Sequence, residues 1–343
     1  MNNLFIIHTQ YNLLLACGLC MNDFKGDKND LIIFCDFNMS EIHRNCMKNT
    51  FRKIQFLKGI YPDRTWRAEQ KLNKIRYNNK IIKNFISSEY ERVFIVDDMC
   101  IEEMYALKCV HKKNKGVKMA WLEDGANAYF SNSAISGGMG ATPLRRFIRK
   151  IFFSTLFGLW RYYDLGCCMG AHKLLKQAYL TFPRFVRAEL SDKELIEISD
   201  KAFKCGMQQL FHGEAYAFEE NGIIIAMDKL DVYGKDFEKV SSLISDEVLQ
   251  AHNRGQKIYY KYHPRETQEM LVLQSEVELD RKIALESYLT NSNTRNLTII
   301  GVKSTSLQTA KKMGYEAVSF IQSVEPENRA VIDFYKKIHI KCV

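Results

Sequence analysis

Short, unbroken apolar runs alternate along this chain with longer stretches in which apolar residues recur every three or four positions. Four such runs, "NLFIIH", "DLIIFCDF", "ERVFIVDD" and "VKMAWLED", fall within the first 125 residues. A run that is apolar at both odd and even positions has no face to give to water. Each therefore predicts a strand covered on both sides, the condition of a parallel sheet. Helical spacing occupies Ser40 to Phe56 and Trp66 to Ser87. The opening "MNNLFIIHTQYNLLLA" reads as a strand, a loop and a first helix, broken by His8, Thr9, Gln10 and Asn12. It lacks the basic segment that begins a secretion signal.

A helix-rich stretch follows from Leu144 to about Met207. Within it "SDKELIEISDKAFKCG" predicts one helix, capped by Ser191, with Glu194 completing a capping box and Gly206 as the stop. Strands resume with "NGIIIAMD", "KIYYKYHP", "LTIIGVKS" and "EAVSFIQ". The helix "DFEKVSSLISDEVLQAHNRG" separates the first two, and "ENRAVIDFYKKIH" reads as a closing helix. The order βαβα, helices, βαβα predicts an α/β chain of two doubly wound halves. The expected boundaries are 1–143 for the first half, 144–212 for a helical connecting segment, 213–322 for the second half and 323–343 for the closing helix.

At 343 residues, with 46% hydrophobic and 26% charged residues, the chain is globular and long enough for two cores. Ten cysteines show no CxxC pair, and Cys167-Cys168 is a poor chelator. Most sit in apolar contexts, which predicts core residues in a reduced, cytoplasmic protein. A net charge of +9 suits acidic partners, but the cations are spread along the chain and no DNA or RNA motif appears. No run of about 20 apolar residues predicts a membrane span. The nearest approach is Leu144 to Tyr163, where Arg145, Arg146, Arg149, Lys150 and Arg161 flank Phe147, Phe152, Phe153, Leu156, Phe157 and Trp160. Such a helix suits either a membrane interface or a domain or dimer boundary.

Candidate chemistry collects at predicted strand ends, where ligands of doubly wound sheets bind. Glu123 and Asp124 precede Gly125 at the end of one strand. Either these residues form a solvated Asp-Gly turn, or one carboxylate takes a proton from a hydroxyl while the glycine lets substrate approach the backbone. His263-Pro264 ends an aromatic strand beside Lys261 and Arg265, an arrangement suited to phosphate. Ser304, Thr305 and Ser306 open a helix, where hydroxyls and N–H groups either cap or bind an anion. Asp228 ends a strongly apolar strand, and His8 ends the first. Asp97-Asp98 reads as a solvated loop. Walker, GxGxxG, HExxH and GxSxG motifs do not occur, which argues against P-loop NTPases, Rossmann dehydrogenases, zincins and α/β-hydrolases.

Taken together, "NLFIIHTQYNLLLA", "WLEDGANAYF", "IIIAMDKLD", "YKYHPRET" and "GVKSTSLQTA" resemble the bacterial lipooligosaccharide sialyltransferases, glycosyltransferase family 52, to which bacterial polysialyltransferases are related. The acid-acid-Gly, His-Pro and Ser/Thr motifs stand in the same order. The resemblance implies a GT-B fold, two Rossmann-like domains facing a cleft, with the acceptor on the 1–143 side and a CMP-sugar on the 213–322 side. It implies inverting, metal-independent transfer of sialic acid from CMP-sialic acid to a hydroxyl, galactose by expectation, of a surface lipooligosaccharide or capsule. No cofactor is implied. By the same resemblance, His263, Ser304 and Thr305 hold the donor phosphate, and Pro264 and Ser306 beside them are further candidate substrate contacts. Asp228, Glu123 and Asp124 remain alternatives for the base; Gly125 and His8 are candidate substrate contacts by their strand-end positions alone. A homodimer on the inner face of the inner membrane, touching it through 144–163, completes the expectation. The rivals are transfer of Kdo or another nonulosonic acid, a non-catalytic glycan- or nucleotide-binding protein, and a basic nucleic-acid binder.

Overall fold

A computed structural model of the chain describes residues 1–37, 39, 41–59, 67–86, 89–130, 143–163, 169–211, 213, 215–263 and 266–343. The chain divides into two compact units, Met1–Leu210 and Phe211–Val343.

The first unit carries β1 (Asn2–Ile7), β2 (Lys28–Cys35), β3 (Lys53–Lys58), β4 (Arg92–Ile95), β5 (Lys118–Leu122), β6 (Gln177–Leu180) and β7 (Glu194–Glu197). They form one sheet in the order β3-β2-β1-β4-β5-β6-β7, with every pairing parallel. Its helices are α1 (Gln10–Met21), α2 (Glu41–Thr50), α3 (Ala68–Phe85), α4 (Ile101–Lys113), α5 (Pro143–Phe157) and α6 (Asp200–Phe211, which runs across the unit boundary). Apolar runs made the central strands because both faces are covered: Leu4 to Ile7 and Leu31 to Phe34 are fully buried. Phe5 stacks on Phe94 with ring centroids 4.3 Å apart, and Phe24, Phe51 and Tyr179 close around that pair.

Three expectations in this unit need correction. The helix expected over Ser40–Phe56 ends at Thr50, and "KIQFLK" forms β3 at the sheet edge. The helix expected from a Ser191 cap is instead strand β7 followed by α6, with Ser199 Oγ accepting from the Ala202 N–H (3.1 Å) at the true helix start. Gly206 lies inside α6 and is no stop. It lets α6 press onto α1: a Cβ there would sit 2.3 Å from the Leu14 carbonyl oxygen, and one on Gly18 would sit 2.2 Å from that of Ala202. The stretch expected to connect two halves, 144–212, thus supplies two strands to the first sheet.

The second unit carries β8 (Ile223–Ala226), β9 (Ile258–Lys261), β10 (Val277–Glu278), β11 (Thr298–Gly301), β12 (Glu316–Ser319) and β13 (Lys341–Cys342). Its order is β10-β9-β8-β11-β12-β13, again all parallel. The helices are α7 (Phe237–Asn253), α8 (Leu285–Thr290), α9 (Thr305–Lys312), α10 (Ile321–Val324) and α11 (Arg329–Lys337). The expected closing helix is α11, and the chain continues past it into the edge strand β13. Each sheet reverses its winding once, between β1 and β4 in one and between β8 and β11 in the other. Loops leave for opposite faces at such a point, and a crevice opens beyond the strand ends.

Candidate active site

In the second unit three strand ends meet at that reversal. Ala226 pairs with Lys261 across β8 and β9, so Asp228 and His263 each lie two residues past the same rung. Ile225 pairs with Ile300 across β8 and β11, which carries Lys303 and Ser304 to the matching level. Neighbouring strands lie about 4.8 Å apart, so the β9 and β11 ends flank Asp228 across a gap of about 10 Å. The Asp228 carboxylate accepts from the Lys303 N–H (3.1 Å) and stands 3.4 Å from the Tyr233 hydroxyl, whose oxygen accepts from the Asp228 N–H (3.1 Å). Burial raises the Asp228 carboxyl above its usual range, against the opposing pull of the Lys303 N–H and ammonium.

Ser304 caps α9: its hydroxyl accepts from the Ser306 N–H at 3.3 Å. The capping reading and an anion site are compatible, because Ser304, Thr305 and Ser306 all remain partly exposed at the positive end of the helix. His263 is half-buried. Pro264 lies outside the described residues. Glu266 is buried and joins two of the loops, accepting from the Leu230 N–H at 2.7 Å and from the Thr267 and Gln268 N–H groups at 2.8 Å each. Sequence pattern does not single it out. Its only trace there is an acid three residues after His263.

The first unit places its acids differently. Glu123 is fully buried at the end of β5. One oxygen accepts from the Tyr11 hydroxyl and from Thr181 Oγ1 (2.7 Å), the other from the Tyr129 hydroxyl and the Thr181 N–H (2.9 Å). Burial raises its carboxyl, and these four donors pull the other way. Asp124 is partly exposed, and Asn12 Nδ2 ties it to α1 by bonds of 3.3 Å to Asp124 Oδ1 and to the Glu123 carbonyl. Gly125 follows with φ +55°, a left-handed turn that glycine adopts without strain.

His8 is buried at the end of β1, stacked on Phe34. Its Nε2 lies 2.5 Å from Glu103, and its Nδ1 3.7 Å from Asp36. Burial alone would lower its pKa, but the carboxylates of Glu103 and Asp36 push it up to about 10. Asp98 is buried and Asp97 half-buried, contrary to the solvated loop expected. Asp98 accepts from the Gly170 (3.0 Å) and His172 (2.8 Å) N–H groups. Burial, opposed by those bonds, raises it to about 6, and burial with Glu103 beside it raises Asp97 to about 7. Among the described residues His8, Cys100 and Glu103 have a spacing that suits a cation. The Val96 and Asp97 N–H groups and His8 already occupy Glu103.

The folds of known proteins agree with this arrangement. The UDP-GlcNAc 2-epimerase of Methanocaldococcus jannaschii superposes with a TM-score of 0.53 at 9% identity, over 98% of this chain and 92% of that one. Arabidopsis thaliana UGT89C1 complexed with UDP superposes with a TM-score of 0.52 at 8% identity, over 100% and 85%. No curated protein matches the chain. Two parallel, doubly wound units of this kind make up the GT-B fold, and the chain has that fold. Residues 3–315 match the alpha-2,8-polysialyltransferase (POLYST) family. The chain belongs to that family, the relative of the lipooligosaccharide enzymes that its motifs resemble, and is a transferase of the sialyltransferase type.

Proposed function

We propose that the protein transfers sialic acid from CMP-sialic acid, with inversion and without a metal, to a hydroxyl of a bacterial surface glycan. The observation that carries this reading is the convergence of Asp228, the His263 strand end and the α9 N-terminus at the sheet reversal of the second unit. The family's description favours the 8-hydroxyl of a sialic acid as acceptor over the galactose expected from the sequence. Work on such a glycan suits a homodimer at the inner face of the inner membrane.

The sialyl anomeric carbon is tertiary, so its bond to the phosphate oxygen breaks ahead of attack. Both electrons of that bond leave with CMP. Protonated His263, the Ser304 and Thr305 hydroxyls and the α9 dipole stabilise the growing phosphate charge. The acceptor oxygen forms the new bond from the opposite face and gives its proton to a carboxylate. Asp228, whose raised pKa suits a base, and the accessible Asp124 are the candidates. Glu123, with four donors on its two oxygens, instead fixes the turn that presents Asp124.

The test is CMP release from CMP-sialic acid, with and without an oligosialic acceptor, in the presence of EDTA. CMP-Kdo serves as the competing donor. Acceptor-dependent release from CMP-sialic acid alone supports the proposal. Preference for CMP-Kdo, or a strict need for added Mg²⁺, contradicts it.

A further inference from the structure

Helix α5 holds an apolar face outward. Leu144, Phe147, Ile148, Ile151 and Phe152 recur at helical spacing on one side, and Trp160 follows just beyond the Gly158 turn. All six are exposed, Phe147 and Trp160 at 60% each. A stripe this continuous is uncommon on a surface that meets only water.

The opposite side explains why the stripe stays out. Phe153 lies there and meets Tyr163 edge-on, and Ser154, at the edge of the stripe, is buried. From α4, Lys108 Nζ bonds the Phe157 carbonyl (2.5 Å) at the negative end of the helix, and His111 Nδ1 lies 2.9 Å from the Tyr162 hydroxyl. The Leu159 N–H closes the last turn on Ser154 O (2.9 Å). These ties fix the rotation of α5 about its axis. Between Pro143 and Tyr163 there are five cations, Arg145, Arg146, Arg149, Lys150 and Arg161, and no acid. Arg149 and Arg161 are exposed.

We propose that α5 lies flat on an anionic lipid bilayer. Its stripe enters the acyl boundary, and the exposed Arg149 and Arg161 meet the headgroups. A span is not available: fifteen residues reach about 22 Å, short of the roughly 30 Å hydrocarbon core. None of the described helices is long and apolar enough to cross. Charge decides between lipid and a second copy of this chain. A two-fold contact through this face would bring two sets of cations together with no acid from the helix to offset them. An anionic surface offsets them all. This inference stands independently of the donor sugar.

The experiment uses the full chain and two vesicle types, phosphatidylcholine alone and phosphatidylcholine containing phosphatidylglycerol. Sedimentation should show strong binding only to the second. In a Trp66→Phe background, Trp160 emission should shift to the blue on that binding, because its ring leaves water, whereas Trp121 is already buried. Phe147→Asp with Phe152→Asp should weaken binding at least ~10-fold with an unchanged melting temperature. Arg149→Gln should weaken it ~5-fold. Unchanged Trp160 emission in the Trp66→Phe background, or vesicle binding by the double variant equal to wild type, would overturn the proposal. So would a wild-type dimer that the double variant splits, together with no vesicle binding.

Discussion

Glu123 offers the sharpest separation of architecture from chemistry. Replacing it by Ala removes the acceptor of four donors in a site closed to water. The hydroxyls have some recourse, since Tyr129 Oη already lies 3.0 Å from Thr181 Oγ1 and each can turn. The Thr181 N–H, 2.9 Å from the lost oxygen, cannot turn. A hydrogen bond to a charged group contributes about 1.5–3 kcal/mol, so two bonds without a substitute amount to ~3–6 kcal/mol. The melting temperature should fall by ~10–20 °C for a unit of this size. Glu123→Gln keeps one oxygen for the Thr181 N–H, and its amide can donate to Tyr11 and Thr181 hydroxyls turned to accept. That variant should lose only ~1–2 kcal/mol. Thermal melts followed by circular dichroism measure both. Per folded molecule, kcat of the Gln variant should stay within about tenfold of wild type, short of the 10²- to 10⁴-fold loss expected when a general base is removed. Burial raises the Glu123 pKa above its ordinary 4.5, so the folded state holds the proton more tightly than the unfolded chain. Wild-type stability should therefore decline as pH rises through that window, and the Gln variant should lack this part of the slope. An Ala variant melting within about 2 °C of wild type, or a folded Gln variant without activity, would refute the organising role.

Asp228→Asn and Asp124→Asn, compared at neutral pH, should identify the base by a 10²- to 10⁴-fold fall in kcat for one of them. If it is Asp228, wild-type activity should fade on the acid side above the ordinary carboxylate range, because burial raises that group. His8 is held at about 10 against 6.5 in a free side chain. The stabilisation it contributes should be complete below pH 6.5 and disappear as pH rises through 10, and urea melts of His8→Gln should show a flatter profile over that range. Gly206→Ala forces a methyl to 2.3 Å from the Leu14 carbonyl and should destabilise by ~1–3 kcal/mol or more in urea titration, while Gly116→Ala should change little.

The parts of the fold legible in the sequence were those with one strong signal. Strands such as β1 and β8 are apolar on both faces because the sheet covers both, and apolar runs this short are strand-length rather than helix-length. The segments misread were those where two periods compete. In "ELIEIS" the acids and apolar residues satisfy a capping box as well as a short edge strand, and only pairing with β6 decides. "KIQFLK" is an edge strand with a half-exposed pattern, so it merged with the helix before it. The same limit governs the site. Strand-end positions of Asp228, His263 and Ser304 followed from local pattern. Burial of Glu123 and Asp98 did not, because their donors, Thr181 and Gly170, lie 58 and 72 residues away.

The most direct measurement compares the binding of CMP and of cytidine to wild type and to His263→Ala by calorimetry. Wild type should prefer CMP. The variant should bind CMP at least ~10-fold more weakly, as expected for loss of a charged hydrogen bond, and cytidine as wild type does. Equal CMP affinity in the two proteins would mean that the β9 end does not hold the nucleotide's phosphate.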